Sequence, residues 1–329
     1  MSMTTTTLGL TCISEQLKDK DKKEYSFRTM TRKRFNDLCN REGRDETIKE
    51  LSSRILHNIV VTESIVGHCA NSNIGHYRVS SALFPLVTDE TLEISLDELP
   101  DIEQIQEELQ QVGDTAREHG VSMGSHPDQF NVLASTNPDA VRRTIGELNM
   151  QASVLDMMGL PQDHTAPMNI HINYSPKDDE KLEDVAERFY SNLMKCDSGV
   201  YNRLTIENED KGFFNVDNCI KFSDYLFETF QAPIPVCYDN LHDFCNPSED
   251  HSVTFQAERC AYTWVNQGDG EDSFLAPVFH WSEGKPEKPR AHADYFALGN
   301  FPPCIAIETD KPAKWECEVK GKDKAIALL

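Results

Sequence analysis

Six short segments of the chain each end in a histidine or a carboxylate: Ser122 to His126, Met168 to His171, Leu204 to Glu207, Val236 to Asp239, Val278 to His280 and Trp315 to Glu318. Imidazoles and carboxylates at strand C-termini are the ligands with which a barrel enzyme holds several divalent cations at one mouth. Successive members lie about 30 to 45 residues apart, the length of one strand–helix unit. Glu207 and Asp239 as bridging carboxylates, with imidazoles completing each shell, suit two or three ions such as Mn2+ or Zn2+. Two-metal spacing serves in-line displacement at phosphorus and needs no protein nucleophile.

Each candidate also has an ordinary explanation. A lone histidine in an apolar strand is more often a satisfied core residue than a ligand. His126 has Pro127 ending its strand and Asp128-Gln129 on the following loop, and His171 shares a strand face with Asn169 and Asn173. Glu207 precedes Asn208-Glu209-Asp210, a crowd of acids that is unfavourable unless cations compensate it. Asp239 opens a loop that reaches His242 three residues later, so one loop can serve two neighbouring ions. His292 follows a proline-rich loop and is placed to reach the His242 ion. The last carboxylate is ambiguous: Glu308 ends a cleaner apolar run, Cys304 to Ile307, than Glu318 does. His57, His68, His76, His119, His164 and His251 read as structural or surface residues.

Helical periodicity surrounds these segments. Stripes run through Ile102, Ile105, Leu109, Val112 and Ala116; through Val141, Ile145, Leu148, Ala152 and Leu155; through Leu182, Val185, Ala186, Phe189 and Leu193; and through Val216, Cys219, Ile220 and Leu226. Further helices are predicted from about Asp45 to Gly67 and from Phe255 to Val265. The strands between them are Leu8–Ile13, His76–Ser81, Val121–His126, Met168–Tyr174, Arg203–Asn208, Ile234–Asp239, Ala276–Ser282 and Lys314–Val319. Eight strands, the first six followed by helices, imply a parallel sheet closed as a (β/α)8 TIM barrel. A doubly wound open sheet would need a Gly-rich turn after the first strand, which is missing. Residues 1–329 read as one such domain, with Leu17 to Arg44 an insertion over the mouth.

No linker, repeat or low-complexity block divides the 329 residues, and no apolar stretch approaches the roughly 20 residues of a membrane helix. Mean hydropathy is −0.52, and residues 1–7 lack the basic and apolar parts of a secretory leader. An intracellular protein is expected, in the cytoplasm or the nucleus, acting as a monomer away from membranes. The ten cysteines form no CxxC pair, so they read as reduced, mostly structural thiols. A net charge of −23 opposes binding to phosphates, although bound cations and a local basic face would offset it.

At these residues the chain resembles the UV damage endonuclease family, a relative of endonuclease IV. The similarity runs from Leu8-Gly9 to Lys320-Gly321-Lys322-Asp323-Lys324-Ala325. It is most specific at Tyr77-Arg78-Val79-Ser80-Ser81 with Phe84-Pro85, and at Ser125-His126-Pro127-Asp128-Gln129-Phe130. Glu207-Asn208-Glu209-Asp210, Asp239-Asn240-Leu241-His242 with Asn246-Pro247, and Ala291-His292-Ala293-Asp294-Tyr295 follow in the family's order. The resemblance implies a metal-dependent DNA repair endonuclease on a TIM barrel that nicks damaged double-stranded DNA 5′ to UV photoproducts, and often at abasic sites. It implies up to three divalent ions, typically manganese, with zinc or magnesium as alternatives. By position it makes His126, His171, Glu207, Asp239, His242, His280, His292 and Glu318 the ligands, which selects Glu318 over Glu308. Glu207, His126, Asp239 and Glu318 are the catalytic candidates. Gln129 and Phe130 stand where the family probes the lesion. Leu10 stands where an aromatic wedge is common, and Arg78 and Lys320 are candidates for phosphate contacts. Val278 stands where some members carry a lysine, so a modified-lysine ligand is not available.

Two other classes share the fold. A sugar isomerase or epimerase uses similar metal sites, but the His-Pro-Asp-Gln-Phe loop argues against it. A non-catalytic damage-binding relative is opposed by the complete ligand set.

Overall fold

The computed structural model describes residues 6–128, 130–177, 179–249, 252–266, 273–308 and 310–329. Eight short parallel strands form the sheet: β1 (Thr7–Thr11), β2 (His76–Val79), β3 (Ser122–Ser125), β4 (Met168–His171), β5 (Leu204–Glu207), β6 (Val236–Cys237), β7 (Val278–Trp281) and β8 (Lys314–Cys317). Their order is β6-β5-β4-β3-β2-β1-β8-β7. The ring closes between β6 and β7, where Asp239 and His280 form a parallel bridge and the His280 N–H donates to the Tyr238 carbonyl at 2.8 Å. The seam of the TIM barrel therefore runs through two of the residues singled out for their chemistry.

Six helices follow the first six strands: Arg44–Asn71, Ile102–Glu118, Pro138–Met157, Leu182–Leu193, Val216–Phe230 and Val253–Ala261. Each presents the apolar stripe its spacing predicts. Ile105, Leu109, Val112 and Ala116, for example, are all buried against the sheet and neighbouring helices. Caps set the starts. The Asn137 side chain accepts the Asp139 N–H at 3.0 Å ahead of Pro138, and Asn215 accepts the Asn218 N–H at 3.1 Å. After β7 an antiparallel hairpin, Gly284–Lys285 with Lys288–His292, takes the place of a helix. Leu17 to Arg44 includes the helix Arg32–Glu42, which packs with Phe35 and Leu38 buried against Arg44–Asn71. Among the described residues no helix is long and apolar enough to cross a membrane, and all ten cysteines are free.

The barrel interior is polar where such barrels usually carry branched apolar layers. Strand alternation turns Leu8, Tyr77, Met123, Trp315 and Cys317 out toward the helices and leaves His76, Arg78, Asn169, Thr205, Glu207, His280 and Glu316 inside. Gly9 makes this layer possible. A Cβ there would lie 3.2 Å from the His76 ring and 3.3 Å from the Glu316 Cα, so β1 presents no side chain where those two meet. His76 Nε2 then lies 3.0 Å from Glu316 Oε1, with Ser122 Oγ 2.9 Å from the other ring nitrogen.

Candidate metal centre

Glu207 ends β5 fully inside the barrel, 1% exposed, and its two oxygens face different imidazoles. Oε2 lies 3.0 Å from His126 Nε2 and 3.8 Å from His171 Nε2, while Asn169 donates to it at 2.6 Å. Oε1 lies 3.0 Å from His242 Nδ1 and 3.1 Å from His280 Nδ1. Burial pushes this carboxyl up, but His280, His171, His126 and His242 together hold it well below the usual range. His126 is oriented by its own loop. Its Nδ1 sits 2.9 Å from the Pro127 carbonyl, which assigns the proton there and turns Nε2 to the cluster.

Asp239 divides its carboxylate between two tasks. Oδ1 caps the helix Asn240–Cys245 by accepting the His242 N–H at 2.7 Å. Oδ2 is buried with no hydrogen-bond partner, as is Nδ1 of His280, 3.7 Å away. Glu318 Oε1 lies 3.8 Å from the same His280 nitrogen. Buried polar atoms are normally paired. Separations of 3.7 and 3.8 Å, too long for hydrogen bonds, are those of donors each about 2 Å from one shared cation. The donors therefore fit a divalent ion. Three sets bring one ligand atom per residue within 4.8 Å of one another: His126, His171 and Glu207; Glu207, Asp239 and His242; Asp239, His280 and Glu318. A fourth, Glu207 with Cys237 and His280, contains a thiol that burial pushes up to about 12, so a metal there would have to displace its proton.

His292 stands at the rim, with Nδ1 2.5 Å from the Glu318 carbonyl and Nε2 4.0 Å from Glu318 Oε2. It belongs to none of the three sets. Glu308 lies outside the cluster, where it accepts the Phe274 N–H at 2.7 Å and pairs with Lys311 at 2.6 Å. Phe130 is 75% exposed on the loop after β3, and Lys320 is exposed after β8. Gln129 and His251 lie outside the described residues.

Two expected DNA contacts are redirected. Leu10 is 0% exposed. Gly9 and Thr11 take the inward positions of β1, so Leu10 points into the helical layer and cannot touch a lesion from there. Arg78 faces inward, but its guanidinium pairs with Glu316 at 3.0 Å and with Glu318, leaving its side chain 11% exposed. It acts as an internal counter-charge to two acids rather than as a surface contact for phosphate.

Three supporting residues were not among the candidates. Glu316, 3% exposed, joins His76, Arg78 and, at 3.2 Å, His280 Nε2. Asn169 holds Glu207, and Thr205 donates to its carbonyl oxygen at 3.0 Å. Asn208 pairs with the Asp239 backbone. The available signal was the two-residue period: Glu316 shares a face with Glu318, and Asn169 with His171.

The sequence profile of the family described as UV-endonuclease UvdE matches residues 6–329. The chain belongs to the UvdE family. It is thus a DNA-repair endonuclease by family, which sets the sugar-isomerase alternative aside. A UV DNA damage endonuclease of Nostoc sp. is 31% identical over 333 residues, covering 98% of this chain and 88% of the relative. One of Bacillus velezensis is 26% identical over 306 residues, covering 92% and 87%. The crystal structure of SacUVDE superposes with a TM-score of 0.75 at 23% identity, over 98% of this chain and 96% of that one. That likeness extends to the whole UvdE barrel.

Proposed function

We propose that the chain incises the phosphodiester 5′ to cyclobutane dimers and 6-4 products in double-stranded DNA, and at abasic sites, by multi-metal hydrolysis. The observation that carries this reading is the buried Glu207, whose oxygens face one pair of imidazoles each, beside the unpartnered Asp239 Oδ2 and His280 Nδ1. His126, His171 and Glu207 would hold one ion, and Glu207, Asp239, His280 and Glu318 a second. Asp239 and His242, with His292 from the rim, would hold a third. Bound divalent cations, manganese foremost, supply an acidified water and neutralise charge on the phosphate.

The chain's own residues prepare that site. Asn169 holds the Glu207 carboxylate and Asn208 the Asp239 backbone, and Glu316 with Arg78 holds His280 and Glu318 from below. A damaged, poorly stacked pair opens at lower cost, and Phe130 with Gln129 would fill the gap it leaves. Lys320 would contact a phosphate. Residues 1–329 act as one monomeric barrel domain inside the cell.

Nicking of UV-irradiated supercoiled plasmid tests the reading. With Mn2+ the wild type relaxes the plasmid, and chelator or Glu207→Gln abolishes this. A Glu207→Gln protein that nicks at the wild-type rate would sink the assignment. A wild type that binds lesion DNA without nicking it would establish the non-catalytic relative instead.

A further inference from the structure

The helix Asn240–Cys245 and the hairpin after β7 enclose a shallow groove of about 660 Å³, lined by Phe244, Cys245, Lys288, Pro289, Arg290 and Ala291. Phe244 is 73% exposed, and Lys288, Pro289 and Arg290 are exposed along one strand of the hairpin. Two of the six lining residues are cationic and none is acidic, in a chain with 55 acids against 32 Lys and Arg. Lys288 has no ion-pair partner among the described residues, and Arg290 reaches Asp210 only at 3.5 Å, with half its side chain in solvent.

The groove is built rather than incidental. Gly284 closes the hairpin: a Cβ there would lie 2.1 Å from the Pro289 carbonyl oxygen and 3.0 Å from Leu241 of the short helix. The hairpin is thereby seated on that helix. The groove also continues the candidate centre, because His242 lies two residues before Phe244 and His292 two residues after Arg290. Phe130 stands on the loop after β3, three strands round the barrel from β6.

We infer that this groove is a second DNA contact, in which a strand leaving the centre stacks a base on Phe244 and lays its phosphates on Lys288 and Arg290. The inference rests on the DNA-incision reading and gives an acidic chain a local cationic and aromatic surface for the backbone. Aromatic faces accept any base, and cations beside them track phosphates, so the contact strengthens binding without reading sequence.

Fluorescence anisotropy of a labelled duplex carrying one thymine dimer, titrated with metal-free protein, tests it apart from nicking. Phe244→Ala is expected to weaken binding about tenfold, with Phe244→Trp restoring it. Lys288→Ala should lower the slope of log affinity against log salt by about one. Unchanged affinity and salt slope in both variants overturn the contact. So does a concentration-dependent dimer that Phe244→Ala abolishes, which gives the groove to a second copy of the chain. If the wild type binds but does not nick, the incision reading fails while the binding comparison still decides the groove.

Discussion

Asn208 holds the peptide of Asp239 from both sides: its side-chain oxygen accepts the Asp239 N–H at 2.8 Å and its amide donates to the Asp239 carbonyl at 3.0 Å. The Asn208 carbonyl also lies 2.9 Å from His242 Nδ1. One buried amide therefore sets the position of a carboxylate at the centre of the cluster. Its replacement should behave like the loss of other groups that orient metal ligands. Asn208→Ala is expected to lower Mn2+ affinity or nicking rate about 10- to 100-fold while the protein remains folded. Metal titration calorimetry with circular dichroism checks this, and wild-type affinity and rate would refute it.

Metal uptake should release protons. Burial pulls His242 and His280 down, but Asp239 and Glu207 around the first, and Glu207 and Glu318 around the second, outweigh it and hold both well above the usual histidine range. At neutral pH the metal-free cluster thus carries imidazolium, while ligation requires neutral imidazole. Calorimetry in two buffers of unlike ionisation enthalpy should show about one or more protons released per chain, and affinity should rise with pH. No net release at pH 7 would contradict the site.

Acid should destabilise the fold through His164. Its ring is buried beside Trp264, and burial lowers it from 6.5 to about 4. Between those values the unfolded chain binds the proton and the folded one does not, so stability is complete above 6.5 and falls as pH drops toward 4. The loss amounts to about 3 kcal/mol. Urea denaturation across that range should show a slope that His164→Gln lessens by about one proton. An identical slope in the variant would remove His164 as the cause.

Leu10 offers a test of strand facing. Because it is buried in the helical layer, Leu10→Ala should cost about 2–5 kcal/mol of stability and leave affinity for lesion duplex unchanged. Weakened lesion binding at full stability would return it to the DNA surface.

Much of this site was legible in the residues. Apolar runs ending in His171, Glu207, Asp239 and His280 are short-range signals, and the strand–helix period carries them to one end of a barrel. The same alternation that places His171 and Glu318 also placed Asn169 and Glu316 beneath them, although a glutamate two positions before a ligand attracts no notice by itself. The choice between Glu308 and Glu318 rested on resemblance, and the geometry separates them by the Phe274 and Lys311 contacts that occupy Glu308.

The amino-acid order alone determined the eight strands, the six helices and the acids and imidazoles at the strand ends, because each follows from local periodicity. Tertiary structure alone decided what Arg78 and Leu10 do. Arg78 meets Glu316 across 238 positions of chain, over a β1 whose Gly9 presents no side chain between them. Strand register and the inward or outward sense of each residue are properties of the closed ring, and a one-residue slip would reverse them.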